Sequence, residues 1–242
     1  MDHLPELVQQ FKEEAEKAGA EVHFAKDAEE ARRIVARLAK ERGVQLAVKT
    51  KSMATEEIQL NPFLEERGIR VVETDLGEWI LQLAKDHPSH LIAPAIHWRR
   101  EEVAELFSGV TGVTQPPVIA ELVKVARQQL RQAFIDADMG ITGGNIGIAE
   151  SGTIVLVTNE GNADLVTTLP PIHAVIIGVE KIVATLDDAV AVLKLLPRSA
   201  TGQRLSSYTN FITGPSRTAD IEKVLTIGVH GPGRFAVAIV RG

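Results

Sequence analysis

The sequence predicts an α/β fold in which parallel strands are joined by helical crossovers. Three observations predict it. Short β-branched runs alternate with stretches of helical spacing through the first hundred residues, glycine-rich and β-branched texture takes over after Met139, and no long linker, low-complexity tract or internal repeat interrupts the chain. With 242 residues, 45% of them hydrophobic, the chain has material for one large core, which excludes intrinsic disorder.

The elements follow in order. Leu4, Leu7, Val8, Phe11, Ala15 and Ala18 recur at helical spacing until Gly19. A second helical pattern runs through Ala28, Ala31, Ile34, Val35, Leu38 and Ala39 to Gly43. Residues 1–43 are therefore expected to form a helical N-terminal extension packed on an α/β domain of residues 44–242. Val44–Val48 reads as a strand, Lys49–Ser52 as a turn, and Met53 as the start of a helix. Ile69–Val72 is a second strand, Glu78–Lys85 a helix and His90–Ala95 a third strand. A short helix is expected near Arg99–Ser108. A longer one near Pro117–Ala137 carries Val118, Ile119, Leu122, Val123, Ala126, Leu130, Ala133 and Phe134 on one face. Thr153–Thr158 and Phe235–Val240 read as strands, His173–Val179 as a buried strand, and Asp187–Leu196 as a helix opened by an acidic first turn.

Composition narrows the function. Twenty-six Lys+Arg against 32 Asp+Glu leave a net charge of −6, which argues against nucleic acid as a partner. No apolar run approaches the ~18 residues of a membrane span, and the start lacks the basic and apolar regions of a signal peptide, so a cytoplasmic protein is expected. The cysteine count is zero. That excludes disulfides, a cysteine nucleophile and thiolate ligation of zinc or an iron–sulfur cluster, so a redox role needs an organic cofactor or a partner's metal centre. Among seven histidines there is no HExxH pair, and His87-Pro88-Ser89-His90 reads as a turn; no metal site is expected.

Several segments could carry chemistry. In Lys49-Thr50-Lys51-Ser52-Met53, a strand-to-helix turn with two lysines and Ser52 as N-cap suits a carboxylate or phosphate, although a solvated lysine pair beside an ordinary cap reads equally well. Gly140–Gly152 contains Gly143, Gly144 and Asn145 but is neither a Walker loop nor a dinucleotide fingerprint. Its glycines between two strands suit a tight bend or a close approach. Glu150 stands out as a carboxylate in an apolar, glycine-rich stretch, read as a structural hydrogen-bonding group or as a nucleophile or general base. Asn159, Glu160 and Gly161 follow a strand, where α/β folds place ligands, although a plain turn accounts for them. Two later loops each hold an arginine among small residues, one with Arg198, Thr201 and Gly202, the other with Arg217. Either arginine could fork onto an oxyanion. His173 reads as a satisfied core or edge histidine.

Taken together, Lys49–Met53, Glu73-Thr74-Asp75-Leu76-Gly77-Glu78, Gly140–Glu160, Arg198–Gln203, Gly214–Glu222 and His230-Gly231-Pro232-Gly233 resemble the LUD-domain family of lactate-utilisation proteins, over about residues 20–242. The middle of the chain is most similar to the B-type subunit of the iron–sulfur lactate oxidase system, and its closing stretch looks more like the cluster-free C-type subunit. That resemblance implies a NagB/RpiA/CoA-transferase-like mixed sheet flanked by helices, and a role in oxidising L-lactate to pyruvate. Lacking cysteine, this chain would be an accessory or substrate-binding subunit beside a cysteine-rich iron–sulfur partner, with no cluster of its own. Two other readings stand beside it. One is a stand-alone CoA-transferase-like or sugar-phosphate-type enzyme acting on an anionic small molecule, since Ala149-Glu150-Ser151-Gly152 is partly like the glutamate turn of CoA transferases. The other is a catalytically silent carboxylate-binding module. No flavin or nicotinamide fingerprint identifies a cofactor. Edge strands leave homo-oligomers open.

Overall fold

The computed structural model describes residues 3–90 and 93–241. The chain opens with α1 (Leu4–Lys17), β1 (Glu21–Ala25), α2 (Ala28–Glu41), β2 (Leu46–Lys49), α3 (Met53–Glu57), α4 (Leu60–Glu65), β3 (Arg70–Glu73) and α5 (Leu76–Ala84). It continues through α6 (Arg100–Thr111), α7 (Ile119–Asp136), β4 (Met139–Gly143), β5 (Ile146–Ile148), β6 (Thr153–Thr158), α8 (Asn162–Thr168) and β7 (Ile172–Gly178). A 3₁₀ turn at Val179–Lys181 leads to β8 (Ile182–Val183), α9 (Leu186–Thr201), β9 (Tyr208–Ile212), β10 (Arg217–Thr218), β11 (Thr226–Ile227) and β12 (Arg234–Val240).

The expected mixed sheet resolves into two. A six-stranded sheet in the order β1-β12-β7-β4-β2-β3 has every recorded pairing parallel. A four-stranded mixed sheet, β8-β5-β6-β9, stacks beside it. The parallel strands are apolar on both faces, as sheets covered on both sides require: Ala47, Val71, Ile141 and Ile176 meet α2 and α4, whereas Val48 meets α5, α6 and α7. Under the second sheet, Val175, Ile177, Phe235 and Val237 close against Phe11 and Ala15 of α1 and against Ile154 and Leu156.

Four expectations are corrected. Residues 1–43 hold both expected helices, but Glu21–Ala25 between them is strand β1, in register with Ala236–Val240 at the edge of the main sheet. Its five residues bury only Val22 and Ala25, too short a run to stand out between two long helical patterns. The strand expected at His90–Ala95 falls in part on Leu91 and Ile92, which lie outside the described residues; His90, Ala93, Pro94 and Ala95 form bends and turns. Pro88 and Pro94 cannot donate to a ladder, and the segment is tied locally instead, with Ser89 N–H bonded to Pro94 O and His97 bridging Ser89 and Asp86. In α7 the buried stripe is Leu122, Val125, Ala126, Leu130, Ala133 and Phe134, while Val118, Ile119 and Val123 face outward. Finally, α9 runs beyond Leu196 through Pro197, so Arg198–Thr201 form its last turn and not a loop. It stops where Gly202 adopts φ 71°, a left-handed cap that glycine takes without strain.

The topology fixes where a ligand would sit. From β2 the chain moves outward to β3, then returns across β2 to β4 and on to β7 and β12. Direction therefore reverses between β2 and β4. The connection after β2 runs over the α4 face, and the one after β4 enters the second sheet on the opposite face. A crevice opens at the carboxyl ends of two strands parted in this way.

Candidate functional site at the divergence of two strands

Lys49 and Lys51 end up in different environments although one residue separates them. Lys49 is the last residue of β2 and pairs in register with Glu73, the last residue of β3. Register places both side chains on the α3–α4 face, where Lys49 Nζ lies 2.9 Å from Glu73 Oε1. Lys49 also donates to Thr55 Oγ1, and Asn61 Nδ2 donates to Glu73 at 2.6 Å. Burial pushes the Glu73 carboxyl above its usual range, and Lys49 pulls it back. This pair lies under the turn as part of the packing. Lys51 instead reaches the crevice: its backbone N–H donates to Asp75 Oδ2 at 2.6 Å and its ammonium meets Glu78 at 2.6 Å.

The crevice is a cleft of about 260 Å³ lined by Lys51, Ser52, Asp75, Gly143, Gly144, Asn145, Thr158, Asn162 and Lys181, among others. Ser52 does not cap α3 with its side chain, as the sequence suggested; its hydroxyl lies against Gly143. A Cβ at Gly143 would fall 2.4 Å from Ser52 Oγ, so glycine is what lets the turn after β2 close onto the end of β4. Asn145 Oδ1 accepts from Val157 N–H and fixes the start of the second sheet.

Three carboxyl groups face this cleft or its rim. Asp75 precedes α5 but does not cap it; its side chain is turned across the crevice to the Lys51 N–H and to Asn162. Burial raises its carboxyl above the usual range, with Glu78 and Glu73 adding to the rise and the two hydrogen bonds opposing it. Glu160 accepts the Leu76 N–H and is also raised, first by its partial removal from water and then by Asp75. Asn162 donates to Thr74 Oγ1 at 3.1 Å, while its buried Oδ1 has no hydrogen-bond partner. Lys181 makes no recorded ion pair among the described residues, so its charge is available to a ligand. No group of three or more His, Asp or Glu among the described residues is placed to hold a metal ion.

Of the residues singled out in the sequence, Lys51, Ser52, Gly143, Gly144 and Asn145 meet in this cleft, and Glu160 stands at its rim beside α5. Gly161, at φ 78°, turns the chain into α8 so that Asn162 can enter the cleft. Asn159 points elsewhere and accepts Ser207 N–H. Glu150 lies beyond the far end of β5, where its carboxylate accepts the Leu186 N–H at 2.7 Å, at the start of α9, whose N-cap is Thr185. Arg198, Thr201 and Gly202 belong to the end of α9, and Arg217 lines a separate pocket. Asp75, Glu78 and Lys181 were not anticipated as site residues. For Asp75 and Glu78 a signal existed: Asp75 closely follows a strand, Glu78 lies in the first turn of the next helix, and a parallel neighbour already ended in the two-lysine turn.

The cleft can therefore hold an anion beside cationic Lys51 and Lys181 and can exchange a proton through Asp75, whose raised pKa brings it closer to working pH.

Comparison with known proteins agrees with this architecture. Residues 8–240 match the model of the LUD domain. The chain is 45% identical over 241 residues to lactate utilization protein B of Geobacillus kaustophilus (strain HTA426), covering 99% of this chain and 49% of that protein. Against lactate utilization protein B of Oceanobacillus iheyensis the identity is 44% over 240 residues, covering 99% and 48%. The chain thus spans about half the length of the curated relatives it matches. Among solved structures, a DUF162 family protein from Deinococcus radiodurans superimposes with a TM-score of 0.53 at 15% identity, covering 98% of both chains, which shows a shared fold. On the match across residues 8–240, the chain belongs to the LUD domain family.

Proposed function

We propose that this chain is the substrate-binding unit of a lactate-utilisation redox system, acting in the cytoplasm and carrying no iron–sulfur cluster of its own. The observation that carries the reading is the pairing, in one cleft of about 260 Å³, of the unpaired Lys181 with the raised carboxyl of Asp75. Oxidation of L-lactate to pyruvate needs a cation for the carboxylate and a base for the hydroxyl proton. Lys181 and Lys51 would supply the first, Asp75 the second. The carbon-bound hydrogen would leave with two electrons as a hydride, which calls for a two-electron organic acceptor; the iron–sulfur centres of a cysteine-rich partner would then take those electrons one at a time, since no side chain of this cysteine-free chain can accept them. The relatives' names support the pathway, and the small size of the cleft supports a substrate of a few carbons.

In this reading Glu150 serves the start of α9 by accepting the Leu186 N–H and takes no part in chemistry. The test is calorimetric titration of the purified chain with L-lactate and with pyruvate, repeated on Lys181→Met. Binding that weakens about tenfold or more in the variant supports the proposal, since a charge-assisted contact is worth about 1.5–3 kcal/mol. Binding unaltered by the variant, or no binding of either acid, overturns it.

A further inference from the structure

A second cavity lies at the opposite end of the main sheet, at the amino ends of β7 and β12. It measures about 410 Å³ and is bounded by β9, by the segment leading into β10 and by the turn before β12. Its rim carries Arg217 and His230, both exposed, and neither has an ion-pair or hydrogen-bond partner among the described residues. Its floor is different. His173 is 0% exposed, stacks near Phe235 with ring centroids 5.2 Å apart, and bonds through Nε2 to Thr142 Oγ1 at 2.9 Å. Its other nitrogen, Nδ1, is buried without any partner.

A buried polar atom without a partner is uncommon in a folded protein, and its cost is relieved when something in the adjoining space completes the hydrogen bond. His173 is among the residues that line a cavity with a forked cation at its mouth. The cavity's apolar lining includes Phe211, Ile212 and Phe235. A free inorganic anion would satisfy Arg217 but leave the apolar walls and the floor nitrogen unmatched. A small organic acid satisfies all three, with its carboxylate on Arg217 and His230, its carbon skeleton against the phenylalanines, and a hydroxyl or oxo group on His173 Nδ1.

We propose that this cavity is a second ligand site, distinct from the strand-divergence cleft, which binds a small hydroxy- or oxo-carboxylate through Arg217 and His230 at the rim and His173 Nδ1 at the floor. The two sites share no lining residue. Burial holds His173 far below its usual pKa, at about 3, so the floor offers a neutral imidazole and the anion is matched only at the rim.

The experiment follows the imidazole resonances of ¹⁵N-histidine-labelled protein during titration with L-lactate, pyruvate and inorganic phosphate. Expected are saturable shifts of the His173 signals with at least one of the two organic acids, weakened about tenfold or more in Arg217→Gln and unchanged in Lys181→Met. Arg217 is exposed on a two-residue strand, so its replacement leaves the core intact. Failure of the organic acids to move His173 overturns the proposal, and so does a response insensitive to Arg217→Gln. A phosphate response equal to that of the organic acids overturns the assignment of ligand class. A response abolished by Lys181→Met and not by Arg217→Gln would assign binding to the cleft alone, which keeps the fate of this site separate from that of the cleft.

Discussion

Lys49 and Glu73 close two adjacent parallel strands in direct register, with 2.9 Å between ammonium and carboxylate and side-chain exposures of 1% and 8%. Such a pair gives up hydration at both charges and recovers it only through geometry and further hydrogen bonds. Those bonds come from Thr55 and Asn61 on the helices above, so the pair fastens α3 and α4 to the strand ends that frame the cleft.

Removing one partner should therefore cost far more than removing both. Glu73→Leu leaves a buried ammonium and is expected to destabilise by about 3–5 kcal/mol. The double variant Lys49→Met/Glu73→Leu should recover most of that loss. Urea denaturation of the two single variants and the double variant measures the coupling. Additive losses would show that the charges do not act as a unit.

His173 sets a second expectation, for stability against pH. Its folded pKa is lowered to about 3 by burial, below the 6.5 of an exposed histidine. Between those values the unfolded chain binds a proton that the folded chain excludes. The contribution of neutral His173 is thus fully present above pH 6.5 and is lost as pH falls toward 3, at a slope of up to about 1.4 kcal/mol per unit. Many carboxylates also titrate there, so the informative quantity is a difference. Denaturation of wild type and His173→Gln at pH 7, 6 and 5 should show the gap between them narrowing as pH falls. A constant gap would show that the imidazole is protonated in the fold.

The sequence made inner strands of both sheets legible because they are long apolar runs; Thr153–Thr158, His173–Val179 and Phe235–Val240 match β6, β7 and β12 within a residue or two. It concealed β1, whose five residues lie between two stronger helical patterns, and it suggested a strand at His90–Ala95, where Pro94 has no N–H for a ladder and the described residues form bends and turns. The site divided in the same way. Lys51 and Gly143 could be found because a two-lysine turn and a run of glycines are local signals. What one chain cannot reveal is register: that Lys49 meets Glu73, and so is withdrawn from any ligand, follows from strand pairing. Lys181 reaches the cleft from the end of β7, well over a hundred residues from Lys51, and Glu150 accepts the first N–H of a helix that begins at Leu186; neither relationship leaves a mark in local spacing.

Asp75 supplies the last prediction, in which charge within the cleft sets affinity. Its carboxyl sits among Lys51, Lys181, Glu78 and Glu160, and Glu73 adds to the negative potential from beneath. An ionised Asp75 repels an incoming carboxylate, and a protonated one does not. Because burial raises its pKa above the usual 3.8 of an aspartate, protonation begins at a higher pH than for an exposed one. Pyruvate, the stronger acid of the substrate and product pair, stays ionised while this happens. Its affinity should therefore rise as pH is lowered from neutrality, by an amount on the order of 1 kcal/mol, about fivefold. Asp75→Asn removes the charge at every pH, so the variant should bind pyruvate more tightly at pH 7 and lose this part of the pH dependence. If Asp75 is also the proton acceptor, the same variant should bind well yet support no lactate oxidation when the electron-accepting partner is supplied. Calorimetric titration across pH 5–8 on both proteins decides the electrostatic part. An Asn variant that binds more weakly at neutral pH would mean that Asp75 holds the cleft together through the Lys51 N–H, and that its charge does not face the ligand.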